Sequence, residues 1–162
     1  MAAPFFELAY AWLKSSKPGE DEWYQIGKAE EYAKNFQTGK WKIKRHLYAT
    51  LQKDLSNQRL LIFIDQFEEV YTLCPEDERN IFIDQLLAII AEREKQPPNI
   101  VLVITLRADF LGQAIDSRLG EVLQKFKFEM IRTMNQEELQ SAIEKPAQAV
   151  GLTIQDGLTK IS

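Results

Sequence analysis

RLLIFIDQFEE, residues 59–69, holds five apolar residues in succession, Leu60 to Ile64, and then Asp65, Glu68 and Glu69. An apolar run that short, without alternation and rich in Ile and Phe, predicts a strand buried on both faces. An acid at the carboxyl end of a buried parallel strand stands where α/β sheets hold ligands. Two readings of Asp65 follow. It ligates a divalent cation, or it caps the next helix, with Glu68 at the third helical position completing an acidic capping box.

NIVLVITLR, residues 99–107, repeats the pattern: Ile100 to Ile104 is a second continuous apolar run, ending in Thr105, Leu106 and Arg107. The intervening residues include a helical pattern long enough for a parallel crossover. Both strands then end on one edge of the sheet, which gathers Asp65, Glu68, Thr105 and Arg107. A cation ligand, a base and an anion-binding fork on one edge suit a nucleoside triphosphate bound through Mg²⁺. The plainer reading of Arg107 is an ion pair with Glu68, Glu69 or Asp109.

Three blocks carry a family resemblance: LLIFIDQFEEVYTLC (60–74), VLVITLRADFLGQAIDSRLGEVLQ (101–124) and MNQEELQSAIEKPAQAVGLTIQDGL (134–158). In this order the chain resembles the novel STAND NTPase domain, the signal-transduction ATPase module found ahead of WD-repeat propellers in many bacterial proteins. Before Leu60 the likeness rests on PFFELAYAWL (4–13), similar to the helix after the second strand of that domain. The resemblance implies an AAA-like P-loop fold of the ASCE/STAND class, a partial α/β three-layer sandwich. Its parallel strands would be 60–65, 100–106 and 126–133, the third, fourth and fifth in a sheet ordered five-one-four-three-two. It implies a helical part over 1–58, a Walker B and sensor core over 59–151, and an unfinished C-terminal segment over 152–162. It further implies Mg-ATP as cofactor, with Asp65 on the metal and Glu68, or Glu69 as second choice, polarising the attacking water. Thr105 and Arg107 would meet nucleotide, Arg107 sensing the γ-phosphate. Implied partners are ATP or ADP in the intact domain and proteins engaged through C-terminal repeats.

The chain departs from that family in one respect. A P-loop needs GxxxxGK[ST] to cradle phosphates. Gly27-Lys28 and Gly39-Lys40 are the Gly-Lys pairs, and neither is followed by Ser or Thr or preceded by a Gly five positions earlier. The sequence therefore reads as an excerpt or a shortened product, inactive alone, with a vacancy in the sheet between the fourth and fifth strands. Poor solubility or oligomers are expected of it. The alternative function is a non-catalytic protein–protein interaction module or degenerate remnant.

Composition bounds the rest. The 162 residues are 45% apolar and 27% charged, with a net charge of −4, which fits one globular domain without general attraction to nucleic acid or acidic membranes. One cysteine, Cys74, excludes an internal disulfide and fits a cytoplasmic location. Cys74 reads as a small buried residue, and the single His46 as a solvated helix residue. No apolar run is long enough for a transmembrane helix. Apolar spacing predicts helices over Pro4–Lys14, from near Asp21 to Thr38 (interrupted or weakened at Gly27, with Trp23, Ile26, Ala33 and Phe36 along one side), and over Lys40–Leu55. Pro75 should open a further helix that Pro97-Pro98 stop. Ala108–Ile115 and Ser117–Lys125 read as two short helices. Asn135 and Glu138 predict a capping box on a last helix that Pro146 kinks and Gly151 ends. The basic run Lys40, Lys42, Lys44 and Arg45 reads as a solvated face.

Overall fold

The computed structural model describes residues 3–51, 59–91, 100–125 and 128–155. Among the described residues, eight α-helices, two strands and one 3-10 turn form a mixed α/β arrangement that is mostly helical. It divides into two compact units, Met1–Phe126 and Lys127–Ser162.

The first unit is built around the two apolar runs. Strand β1 (Leu60–Ile64) pairs in parallel with β2 (Ile100–Ile104), Leu60 opposite Ile100 and Ile64 opposite Ile104. The strands are those expected, each ending slightly earlier. The expectation of burial on both faces is corrected. Ile62 and Ile100 are buried, while Leu61 and Phe63 are 62% and 58% exposed and Val101 and Val103 are each 39% exposed. Side chains alternate across a strand, so one face meets the helical core and the other lies open. An unbroken apolar run cannot reveal which face a helical layer covers.

The covering core comes from helices α1 (Pro4–Ser16), α2 (Glu22–Gln37), α3 (Ile43–Leu51) and α5 (Glu76–Ile90). Phe5, Ala9 and Leu13 recur every four residues and are buried along α1. Pro4, in the first turn, needs no intrahelical donor there. Asp21 caps α2 by accepting from the Tyr24 amide at 3.0 Å. Contrary to expectation, α2 runs unbroken through Gly27, and Trp23 lies 81% exposed. Phe36 is buried as expected, alongside Ala29 and Gln25, the last because its side-chain amide is satisfied by the Lys17 carbonyl at 2.7 Å. On α5, acids fill the first turn and Phe82, Ile83 and Leu86 are almost wholly buried. Each such side chain contributes about 1.5–3 kcal/mol by leaving water.

Gln85, 4% exposed, ties these helices together. Its oxygen accepts from the Ile43 amide at 2.9 Å, and its nitrogen donates to the carbonyls of Phe36 at 2.7 Å and Trp41 at 3.3 Å. One buried amide therefore satisfies the end of α2 and the start of α3. The short α4 (Glu68–Thr72) follows β1, and α6 (Leu111–Asp116) and α7 (Gly120–Leu123) follow β2 after a 3-10 turn at Ala108–Phe110. A Cβ on Gly120 would lie 2.0 Å from the Ile115 carbonyl oxygen, so only glycine fits where α6 turns into α7. The Pro97-Pro98 and Leu55 expectations lie outside the described residues.

Of the strand expected over 126–133, residues 126 and 127 lie outside the described residues, and residues 128–135 adopt no regular element, so no strand forms over 128–133. The described sheet has two strands. Alternation alone does not make a strand, which requires a neighbour to take up its amides and carbonyls. Phe128, Met130 and Ile131 are accordingly exposed. Helix α8 (Gln136–Ala149) opens on the expected capping box, Asn135 accepting from the Glu138 amide and Glu138 accepting from the Asn135 amide, each at 2.9 Å. Pro146 lies inside it without ending it, and the helix runs three residues further. It ends on Gly151 at φ +77°, with the Gly151 amide on the Gln148 carbonyl at 3.0 Å and the Leu152 amide on the Ala147 carbonyl at 2.9 Å. This double closure needs a left-handed residue after the helix, which glycine adopts without strain.

Candidate functional site

Past the ends of β1 and β2 the backbone ladder continues for one step. The Thr105 amide donates to the Ile64 carbonyl and the Phe67 amide to the Thr105 carbonyl, both at 3.0 Å. Between them Gln66 sits at φ +53°, the one described non-glycine residue with positive φ. That left-handed turn aims the Gln66 amide at both Asp65 Oδ1, 3.1 Å away, and Thr105 Oγ1, 3.0 Å away. The Thr105 hydroxyl in turn donates to Asp65 Oδ1. One carboxylate oxygen is thus fixed from two sides. The other makes no hydrogen bond among the described residues.

Glu68 opens α4, half-buried, and its Oε2 accepts from the Arg107 amide at 3.3 Å. Asp65 does not cap α4, whose cap position is Phe67 with no side-chain bond, so the capping-box reading of Asp65 and Glu68 is corrected. Glu69 is exposed, and no hydrogen bond or ion pair engages its carboxylate among the described residues. Arg107 lies at the same edge through its backbone, but its guanidinium turns to Asp109. Nε donates to Oδ1 at 3.2 Å and Nη2 to Oδ2 at 2.8 Å, with the Phe110 ring 5.8 Å from the guanidinium carbon. Of the acids within sequence reach of Arg107, Asp109 holds its fork.

The structure therefore brings Asp65, Thr105, Glu68 and the Arg107 backbone to one edge, and does not bring the Arg107 fork to any carboxylate of residues 65–69. Sequence reasoning missed Gln66, because nothing in its chemistry marks a left-handed residue. No group of three or more His, Cys, Asp or Glu side chains gathers for a metal among the described residues. One free carboxylate oxygen and a hydroxyl fit Mg²⁺, which keeps its waters and completes its octahedron with substrate phosphates. Burial pushes the half-buried Cys74 thiol up, with Glu78 adding to the effect, so a reactive thiolate is disfavoured. No helix among the described residues is long and apolar enough to cross a membrane.

The chain is of the mixed α/β class, with a polar edge at the ends of its two parallel strands. The sequence matches the family model described as Novel STAND NTPase 1 over residues 2–162, and the chain belongs to that family. No curated protein and no solved structure matches it.

Proposed function

We propose that the chain is the Walker B and sensor portion of a STAND-type ATPase domain, a nucleotide-dependent switch in cytoplasmic signal transduction. The observation that carries the reading is the Asp65–Thr105 pair at the ends of two adjacent parallel strands, held by the Gln66 turn. In this reading the structure is part of a P-loop three-layer sandwich. Residues 1–58 form its helical part, 59–151 its core and 152–162 the start of the next segment. Asp65 would hold Mg²⁺ on ATP, and Thr105 would keep that carboxylate in place. Glu68, fixed by the Arg107 amide, would polarise the attacking water, with Glu69 as second choice. Arg107 would reach the γ-phosphate after leaving Asp109. Bound Mg²⁺ would neutralise the developing phosphate charge. ATP and ADP states would then differ in how following domains, WD-repeat propellers among them, pack.

The test has two arms. The 162-residue chain, lacking GxxxxGK[ST], is expected to bind Mg-ATP more weakly than about 1 mM. In a family member that carries the phosphate loop, Gln at the position of Glu68 should lower turnover roughly a hundredfold while ATP affinity holds. Unchanged turnover there would remove Glu68 from the chemistry, and micromolar ATP binding to this chain would mean a different phosphate site. A second reading, a non-catalytic interaction module, is favoured by the missing motif together with the open apolar face of Leu61, Phe63, Val101 and Val103.

A further inference from the structure

The run KWKIKRH, residues 40–46, carries four Lys or Arg residues and a His with no acid. It turns the chain from α2 into α3. Lys40, Trp41, Lys42, Arg45 and His46 line a cavity of about 380 Å³. Lys17, Lys28, Arg107, Arg118 and Arg132 each hold an acidic partner. Among the described residues no ion pair engages Lys40, Lys42 or Arg45. Three cations are thus gathered around one concavity in a chain whose net charge is negative.

The wall of this cavity is built rather than incidental. His46, expected in solvent, is instead packed among rings: Trp41 at 5.1 Å, Phe36 at 5.3 Å, Tyr32 at 5.4 Å and Trp12 at 6.0 Å. Its Nδ1 lies 3.1 Å from the Lys42 carbonyl, which can only accept, so Nδ1 carries the proton. Gln85 pins the turn from beneath through Phe36, Trp41 and Ile43. Gly39 at φ +70° and the Trp41 amide on the Asn35 carbonyl at 3.0 Å fix it from the side. The first turn of α3 contains no acid, so the positive end of its dipole adds to the same field. A turn held this firmly loses little entropy on binding.

We propose that this cavity binds a diphosphate group, either free or on a small molecule. Lys40 and Lys42 would act as point charges and Arg45 as a two-pronged donor to phosphate oxygens. A monoanion would neutralise only one of the three cations that line the cavity. The site is separate from the Asp65 edge and needs no divalent metal.

The test is titration of the full chain with sodium pyrophosphate, without divalent cations, followed by tryptophan fluorescence and calorimetry. Saturable binding is expected with a dissociation constant of about 1 mM or tighter at low ionic strength. It should weaken several-fold near 0.15 M salt, where the screening length is about 8 Å. The double variant Lys42→Ala/Arg45→Ala should weaken it roughly tenfold or more, and Lys40→Gln, a milder change, should weaken it measurably. Asp65→Ala should leave it unchanged, which separates this site from the nucleotide reading. ADP binding tighter than pyrophosphate and lost in the same variants would make the source a nucleotide. No saturation by about 10 mM pyrophosphate would overturn the proposal. So would an equal loss in Lys17→Ala/Lys28→Ala, which removes the same charge elsewhere. A single-stranded oligonucleotide that outcompetes pyrophosphate would overturn the small-ligand assignment.

Discussion

Arg107 and Gln66 carry opposite kinds of cost. The Arg107–Asp109 pair is bidentate, yet its side chains are 66% and 57% exposed, so water and salt screen it. Asp109→Ala is expected to change unfolding free energy by less than about 1 kcal/mol. Gln66 holds its left-handed backbone while its amide donates to Asp65 and Thr105 and the backbone bonds at Ile64 and Phe67 fix either side. A β-branched residue is far less tolerant of that region. Gln66→Val should therefore lower stability by about 1–3 kcal/mol, with Gln66→Gly close to neutral. Urea unfolding of the three variants checks both statements, and a Gln66→Val protein as stable as the parent would remove the strain. The Asp65–Thr105 pairing was legible in the sequence, because two apolar runs joined by a helix must end on one edge. The partner of Arg107 was not legible, since three acids lay within reach and geometry alone chose Asp109.

At the scale of the element, buried polar groups decide more than surface ones. Gln85→Leu would keep the apolar volume but orphan the Ile43 amide inside the core, while the Phe36 carbonyl keeps the Gly39 amide. A buried unpaired group costs about 1–3 kcal/mol, so a loss of that size is expected in thermal or urea unfolding. Helix α8 supplies a pH dependence. The Arg132 guanidinium, and secondly the Asn135 amide, hold the Glu138 carboxyl below its ordinary value of 4.5. A carboxyl depressed in the folded state stabilises it above the ordinary value, and that contribution is lost as pH falls through the depressed value. α8 should thus fray at its amino end as pH drops below 4.5, with Arg132→Ala moving the Glu138 titration upward. Carbon-detected NMR of the carboxyl reports this, and an unmoved titration in Arg132→Ala would remove the ion pair as its cause. The caps of α2 and α8 were readable because Asp21, Asn135, Glu138 and Gly151 act on amides within a few residues. The strand expected over 126–133 was not, because pairing depends on a distant neighbour that alternation does not encode.

For the molecule as a whole, the open face of the sheet governs behaviour in solution. Leu61, Phe63, Val101 and Val103 form a contiguous apolar surface on two paired strands. Such faces bind hydrophobic dyes and other chains. The 162-residue chain should bind an anilinonaphthalene dye and elute as oligomers. Leu61→Thr/Phe63→Thr should suppress both without lowering the melting temperature, since neither side chain is in the core. A monomer that excludes the dye would show that this face is covered in solution.

The same parallel pairing has a consequence for how the chain acquires its structure. Every rung between β1 and β2 joins residues forty apart, from Leu60 with Ile100 to Ile64 with Ile104. By contrast α1 and α2 are separated only by Lys17 to Asp21. Closing a long loop costs entropy before any rung rewards it, so local helical contacts form first. In pulse-labelled hydrogen exchange during refolding, amides of α1 and α2 should gain protection early. Those of Thr105 and Phe67, which wait on the rungs, should gain it last, and simultaneous protection would mean a single cooperative step. Asp65 and Thr105 therefore meet only when the slowest contact is made, and the polar edge is the last part of this unit to exist.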